Sequence, residues 1–539
     1  MSRHFAWIAS LLVISTLGAS PPAAPEHGIG NVHMEISCGP DANARFDRGL
    51  ALVHSFWYDR ALSEFDATIK AHPDCAIAYW GAAMTYNHPL WGPPTEADVR
   101  AARMYLGRAT SAGTRNQRES AYVAAVTMLY GDGDPAKKND RDAAYRDAMR
   151  AILATSPDDE TKLFTALAIL GVRGVGDDAR LEAASLAQSV QNHQADHPGA
   201  LHYLIHAYDT DSLANRGLPA SRAYAATAPA VPHALHMPSH IFLRVGSWQE
   251  ARDSNIAAWT ASEDAIRRAG EPASQREFHG LQFGQYASLQ LGRYAEAKHE
   301  AELTLDQYDA NVRRIAAGGL TKDEVDDLQS LDFEAVGMTA EYALSSGDYS
   351  LVRRLPAAST APLTAAAANQ LRAMAAIAAG DTRVMDASAE AARAALAAPP
   401  PPSESKAWIA AAAITSNETL AAVAHARHND AAAFRALDAA TATEDARPLH
   451  FQPTFPAIPA HEMYGRMLFD AGNYAAAAEH FDTALKQFPN RALSLLGRAR
   501  ALRGAGDRAG AARYAASFTA LWSNADAGRP ELAEAIATR

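Results

Sequence analysis

The stretch Gly472-Asn473-Tyr474-Ala475-Ala476-Ala477, with Phe481, Ala484, Leu485 and Pro489 behind it, decides how this chain is built. Glycine supplies a turn, an aromatic and several small residues follow at helical spacing, and a proline stops the helix. Small side chains let two helices approach, and the aromatics fill the gap between them. The pattern recurs far upstream as Tyr58, Ala61, Phe65, Ile69 and Pro73. Fainter copies carry Gly246, Trp248 and Ala251, then Gly292, Tyr294 and Ala297; Gly347 with Tyr349 is weaker still, and 497–514 makes a terminal copy. Composition agrees. Of 539 residues 48% are hydrophobic and 8% aromatic, and alanine is abundant while Val and Ile are sparse, which favours close-packed helices over sheets. The 49 basic side chains against 61 acidic ones leave a net charge of −12. No basic cluster occurs, so no nucleic-acid partner is expected.

These spacings resemble the tetratricopeptide repeat (TPR), a helical hairpin of about 34 residues. The resemblance covers most of 42–520 and is tightest at 461–490. It implies an all-α, TPR-like helical-hairpin solenoid, a superhelix whose concave groove holds ligands.

The first twenty residues read differently. Arg3 and His4 precede an apolar run over 5–18, and Ala19 and Ser20 follow. A basic start, a short apolar stretch and a small-residue exit predict a signal peptide at 1–20. The run is short for a membrane span, an uncleaved anchor being the alternative. No other segment reaches 18 uninterrupted apolar residues, so no stable membrane insertion is expected after cleavage, and the mature chain is expected to be periplasmic or secreted. In an exported protein Cys38 and Cys75 invite a disulfide. It would close a loop of about 37 residues and contribute roughly 4 kcal/mol through loop entropy; two free buried thiols are the alternative. The expected organisation is an extended entry segment at 21–37, an N-terminal array at 38–396 with a His-rich groove, a Pro-rich linker at 397–406 and C-terminal repeats at 407–539.

Twenty histidines are present, and seven of them lie between His193 and His240. Two motifs stand inside that window: His202-Tyr203-Leu204-Ile205-His206 and His236-Met237-Pro238-Ser239-His240. Residues four apart share a helix face, so each pair can chelate one ion through imidazole nitrogens. Pro238 complicates the second stripe, because it can begin a helix and leave His233 and His236 on the entering loop. His202 to His236 spans 34 residues, as does His206 to His240. By the repeat resemblance both pairs occupy equivalent places on consecutive first helices, facing the groove. His54 and His88 share the same separation, and His279 also falls at a groove position. The expected metal ligands are therefore His202, His206, His236 and His240. His233, His279 and Asp209 would complete a second ion or orient the first, and His54, His88, Trp91, Tyr203 and Tyr208 would contact a groove ligand. Imidazole with carboxylate suits zinc, copper or iron, which the sequence does not distinguish, and disfavours calcium and magnesium.

Blander readings stand beside these. The same four histidines would also make a polar groove gripping a peptide carboxylate or small anion. Tyr79, Trp80, Trp248 and Trp259 read as interhelical packing. The acidic run Asp158-Asp159-Glu160 reads as a solvated helix start. Neither a P-loop, a Gly-x-Ser-x-Gly elbow nor a His-Glu-x-x-His motif occurs.

The segments Phe46-Asp47-Arg48-Gly49-Leu50 with His54-Ser55-Phe56-Trp57-Tyr58, then Asp74 to Gly81, Asn87 to Trp91 and His233 to His240, resemble a family of exported bacterial TPR proteins. That resemblance is close over 38–92 and 197–300, looser through 300–450, and implies a fold and a compartment but no settled activity. The expectation is an exported TPR protein binding a transition metal through groove histidines, in enzymatic form acting on a small molecule or peptide. The alternatives are a non-catalytic periplasmic adaptor for a partner peptide or protein, and metal storage or delivery.

Overall fold

The computed structural model describes residues 28–90, 92–356, 359, 361–401, 405–446 and 456–539; the expected signal peptide lies outside them. The described residues form α-helices and three short 3-10 turns, with no strand among them. Each part of the chain is a TPR-like run of helical hairpins. Two compact units divide inside the helix Pro238–Val245, the first ending at Ile241 and the second running from Phe242 to Arg539. Among the described residues no helix is long and apolar enough to cross a membrane.

In the first unit the hairpins pair Pro40–His54 with Tyr58–Ala71, Ala76–Met84 with Glu96–Ala112, and Gln117–Tyr130 with Lys138–Thr155. Asp159–Gly171 then pairs with Asp177–Gln191, and Pro198–Tyr208 with Ala214–Thr227. The alternation of small and aromatic residues has a direct steric meaning here. Phe65 is fully buried, and a Cβ added to Gly49 or Gly81 would lie 2.7 or 2.5 Å from its ring. Trp80, packed against Phe46, Tyr122 and Phe164, fills the neighbouring space.

The first unit also returns on itself. Helix Pro40–His54 packs against helix Pro198–Tyr208. The extended strip from Gly28 ties the same ends together, since the Asn31 amide donates to the Asp196 carbonyl at 3.1 Å and the Ala230 amide to the Gly28 carbonyl at 3.0 Å. Cys38 and Cys75 lie at disulfide distance, their Cα atoms 5.4 Å apart. This closure carries His54, at the end of one helix, to His202 and Tyr203 on another.

The second unit repeats the hairpin scheme from Trp248–Ala269 with Phe278–Gln290 to Ala492–Gly504 with Arg508–Leu521. Helices end at Ala397 and resume at Lys406 around the proline run. Phe481 sits here as Phe65 does in the first unit: a Cβ on Gly465 or Gly497 would lie 3.0 or 2.4 Å from its ring. A buried polar knot pins the late hairpins to an early one. Arg491 donates to Glu462 at 2.7 Å and to the Tyr286 hydroxyl at 2.7 Å, and the Ala492 amide donates to the Gln290 side chain at 3.0 Å.

Candidate metal centre

Pro198 opens the helix Pro198–Tyr208, where its fixed φ suits the first position and its missing N–H costs nothing. One turn further in, His202 and His206 stack on a single face. The His202 Nδ1 atom lies 2.6 Å from the backbone carbonyl of His54. A carbonyl only accepts, so Nδ1 carries the ring proton and Nε2 keeps a lone pair. That lone pair faces His206 Nε2 at 3.0 Å.

The second motif repeats the arrangement. Pro238 does begin a helix, Pro238–Val245, but His233 and His236 stay helical on the short preceding turn Pro232–His236. His236 Nε2 and His240 Nε2 are 3.1 Å apart. His240 Nδ1 lies 3.2 Å from the Asp209 carboxylate, which again places the proton on Nδ1 and leaves Nε2 as a donor of electrons. Between the two pairs sits His233, its ring centroid 5.2 Å from that of His202 and 5.9 Å from that of His236. The ligand atoms of His202, His206 and His233 all lie within 4.8 Å of one another.

Burial keeps His202, His206 and His233 neutral. His202 and His236 are fully buried. Desolvation pushes His202 down to about 3, against the opposing pull of the His54 carbonyl. Burial likewise holds His206 and His233 well below the usual histidine range, with their imidazole neighbours adding to the effect. A neutral ring is the form that binds metal. Phe56 presses on the cluster, its ring 4.4 Å from His202, 5.7 Å from His206 and 5.6 Å from His233. It adopts φ +56°, a region costly for a bulky residue and characteristic of constrained sites.

Beside the cluster lies a second group. His54 Nε2 is 2.7 Å from one Glu160 oxygen, and His197 Nε2 is 2.9 Å from the other. His54 Nδ1 meets the Tyr203 hydroxyl at 2.8 Å. All four residues are buried. Burial alone would raise the Glu160 carboxyl, but the two imidazoles overcome it and hold the group near 2. Burial lowers His54. Gly199 makes this approach possible, because a Cβ there would lie 2.5 Å from the His54 ring.

The other expected residues have these surroundings. His88 stacks near Tyr58 at 4.7 Å, and burial pushes it down to about 4. Tyr208 packs partly buried against the core of the first unit. His279 stands on helix Phe278–Gln290 of the second unit, edge-on to Phe283 at 4.9 Å. Trp91 lies outside the described residues. The reading of Asp158-Asp159-Glu160 as solvated needs correction. Asp158 caps the helix by accepting from the Thr161 amide at 2.9 Å, and Asp159 engages Lys162 and His193. Glu160, the second residue of that helix, instead turns inward to His54 and His197 at the closure between the first and fifth hairpins. Only the acid's placement three and four residues before Leu163 and Phe164, both buried, hinted at it in the sequence.

Comparison with known proteins adds a fold-level likeness. No family model and no curated protein matches the chain. Among solved structures it is similar to the human IFIT1 dimer with m7Gppp-AAAA, at 12% identity and TM-score 0.35, covering 86% of this chain and 88% of that one. It is also similar to the Cut9–Hcn1 hetero-tetramer of APC/C (12%, TM-score 0.30, 92% and 90% covered) and to the P58(IPK) TPR domain (13%, TM-score 0.21, 87% and 99% covered). Likenesses of this grade carry no functional inference.

Proposed function

We propose that this chain is a transition-metal-binding protein whose centre is built from His202, His206 and His233, with His236, His240 and Asp209 alongside. One observation carries the reading. Acceptors fix Nδ1–H on both His202 and His240, so their Nε2 lone pairs point at further imidazoles at 3.0 and 3.1 Å. Metal-bound histidines are held in this way, with the distal N–H anchored to a carbonyl or carboxylate. Zinc, copper and iron suit such a donor set. Bound with an open position, the ion would activate water or dioxygen, which is the enzymatic form of the reading. Export is part of the proposal, supported by the basic-apolar-small start of the chain and by the Cys38–Cys75 pair.

A second reading, a non-catalytic carrier or TPR adaptor, is favoured by the two carboxylates nearest the histidines. Glu160 receives two imidazoles and Asp209 one, which fits binding better than proton transfer. Helical-hairpin arrays also present broad surfaces to partner proteins.

Metal analysis of protein purified without a histidine tag tests the centre. The expected result is at least one equivalent of zinc, copper or iron, reduced by one equivalent in the double variant His202→Ala/His206→Ala and unchanged in a variant of exposed His299. Metal-free wild type that still captures a peptide would transfer the chain to the adaptor reading.

A further inference from the structure

We infer that His54, Glu160 and His197 form a second, closed metal site, separate in its ligands from the centre above and taking a divalent ion such as zinc or iron(II). The three side chains come from three different places in the chain: the end of helix Pro40–His54, the first turn of Asp159–Gly171, and the residue preceding Pro198–Tyr208. Their ligand atoms all lie within 4.8 Å of one another. Each Glu160 oxygen faces one imidazole nitrogen, at 2.7 and 2.9 Å. Side-chain exposure is 0% for both histidines and 2% for the glutamate.

Two features favour an ion over a hydrogen-bonded network. The first is charge. Two neutral imidazoles donating to Glu160 leave a full negative charge inside the protein, and buried charges persist when paired or bound to a metal. Within this group the cation must be either an imidazolium or a bound ion. A divalent ion also satisfies both carboxylate oxygens and both nitrogens together. The second is support from behind. His54 Nδ1 rests on the Tyr203 hydroxyl at 2.8 Å, and the His54 carbonyl holds His202, so the ring that would ligate is fixed at its far side. Two imidazoles and one carboxylate are a donor set for zinc and iron rather than for calcium or magnesium. Burial on all sides makes the site a structural one, filled as the first unit closes.

The test uses the full-length, tag-free protein, stripped with chelator and titrated with zinc alone. Wild type is expected to bind one equivalent more than Glu160→Gln, which keeps the shape of the side chain and removes its charge. The double variant His202→Ala/His206→Ala is expected to keep that Glu160-dependent equivalent. X-ray absorption of the zinc-loaded double variant should then show two imidazoles and a carboxylate around the ion. If Glu160→Gln does not fold, His197→Gln and the absorption spectrum decide. Unchanged zinc stoichiometry in the folded variants, or a shell of oxygen without imidazole, overturns the inference. Loss of metal only in His202→Ala/His206→Ala overturns it as well while leaving the first centre standing; loss only in Glu160→Gln does the reverse.

Discussion

Glu160 in the first unit and Glu462 in the second are both buried carboxylates held near 2, yet their partners differ in kind. Glu462 meets Arg491, with Ser494 and Arg466 alongside, and Arg491 reaches on to Tyr286. A guanidinium stays charged at every relevant pH and binds no metal, so that knot is a fixed structural pair. Glu160 meets two imidazoles, which can be neutral, protonated or metal-bound. The same burial therefore builds a clamp in one unit and a chemically responsive group in the other. Ordinary TPR-like packing is shared by both, as Phe65 and Phe481 show.

The largest effect should come from breaking the clamp. Arg491→Ala removes the buried cation of Glu462, leaving only the part-exposed Arg466 beside it, and should cost about 3–5 kcal/mol, read as a lower urea midpoint for the second unit. Next comes the responsive group. Removing metal from the first unit with a chelator should cost about 3 kcal/mol if free metal had stood near 100 times its Kd. Calorimetry should show that loss in wild type and a smaller one in Glu160→Gln, with the transition of the second unit unmoved. An equal shift of both transitions would show that the two carboxylates do not differ in this way.

The shared packing should respond equally in both units. Gly81→Ala and Gly497→Ala each push a methyl into a buried ring, at 2.5 and 2.4 Å, and should cost about 1–3 kcal/mol, although the exchange normally favours a helix. A cost confined to one unit would show that the two repeats do not pack alike.

The smallest effect is on pH. His88 is held near 4 in the folded chain, below the ordinary 6.5. The unfolded chain therefore takes up its proton first, so stability is complete above about 6.5 and falls as pH drops towards 4. At pH 5 the loss should be on the order of 1 kcal/mol. Urea midpoints at pH 7 and 5 should differ less in His88→Gln than in wild type. His480, lowered to about 4 chiefly by burial and then by His461, should act in the same direction in the second unit.

Much of this was legible beforehand. The Gly-aromatic-small spacing at 472–489 announced paired helices, His202 and His206 were visible because residues four apart share a helix face, and His236 and His240 because they repeat that pair 34 residues on. Glu160 and His197 were not visible as partners. Glu160 sits in an acidic run that resembles a helix cap, and His197 has no motif around it.

Local order along the chain thus determined the helices, their hairpins and the two imidazole pairs, since each depends on contacts a few residues apart or on side-chain size alone. Closure decided the rest. Only when helix Pro40–His54 packs on Pro198–Tyr208 does His54, 106 residues from Glu160 and 149 from Tyr203, meet both. Contacts of that range depend on the summed turns of five hairpins, and no periodicity in the sequence encodes that sum.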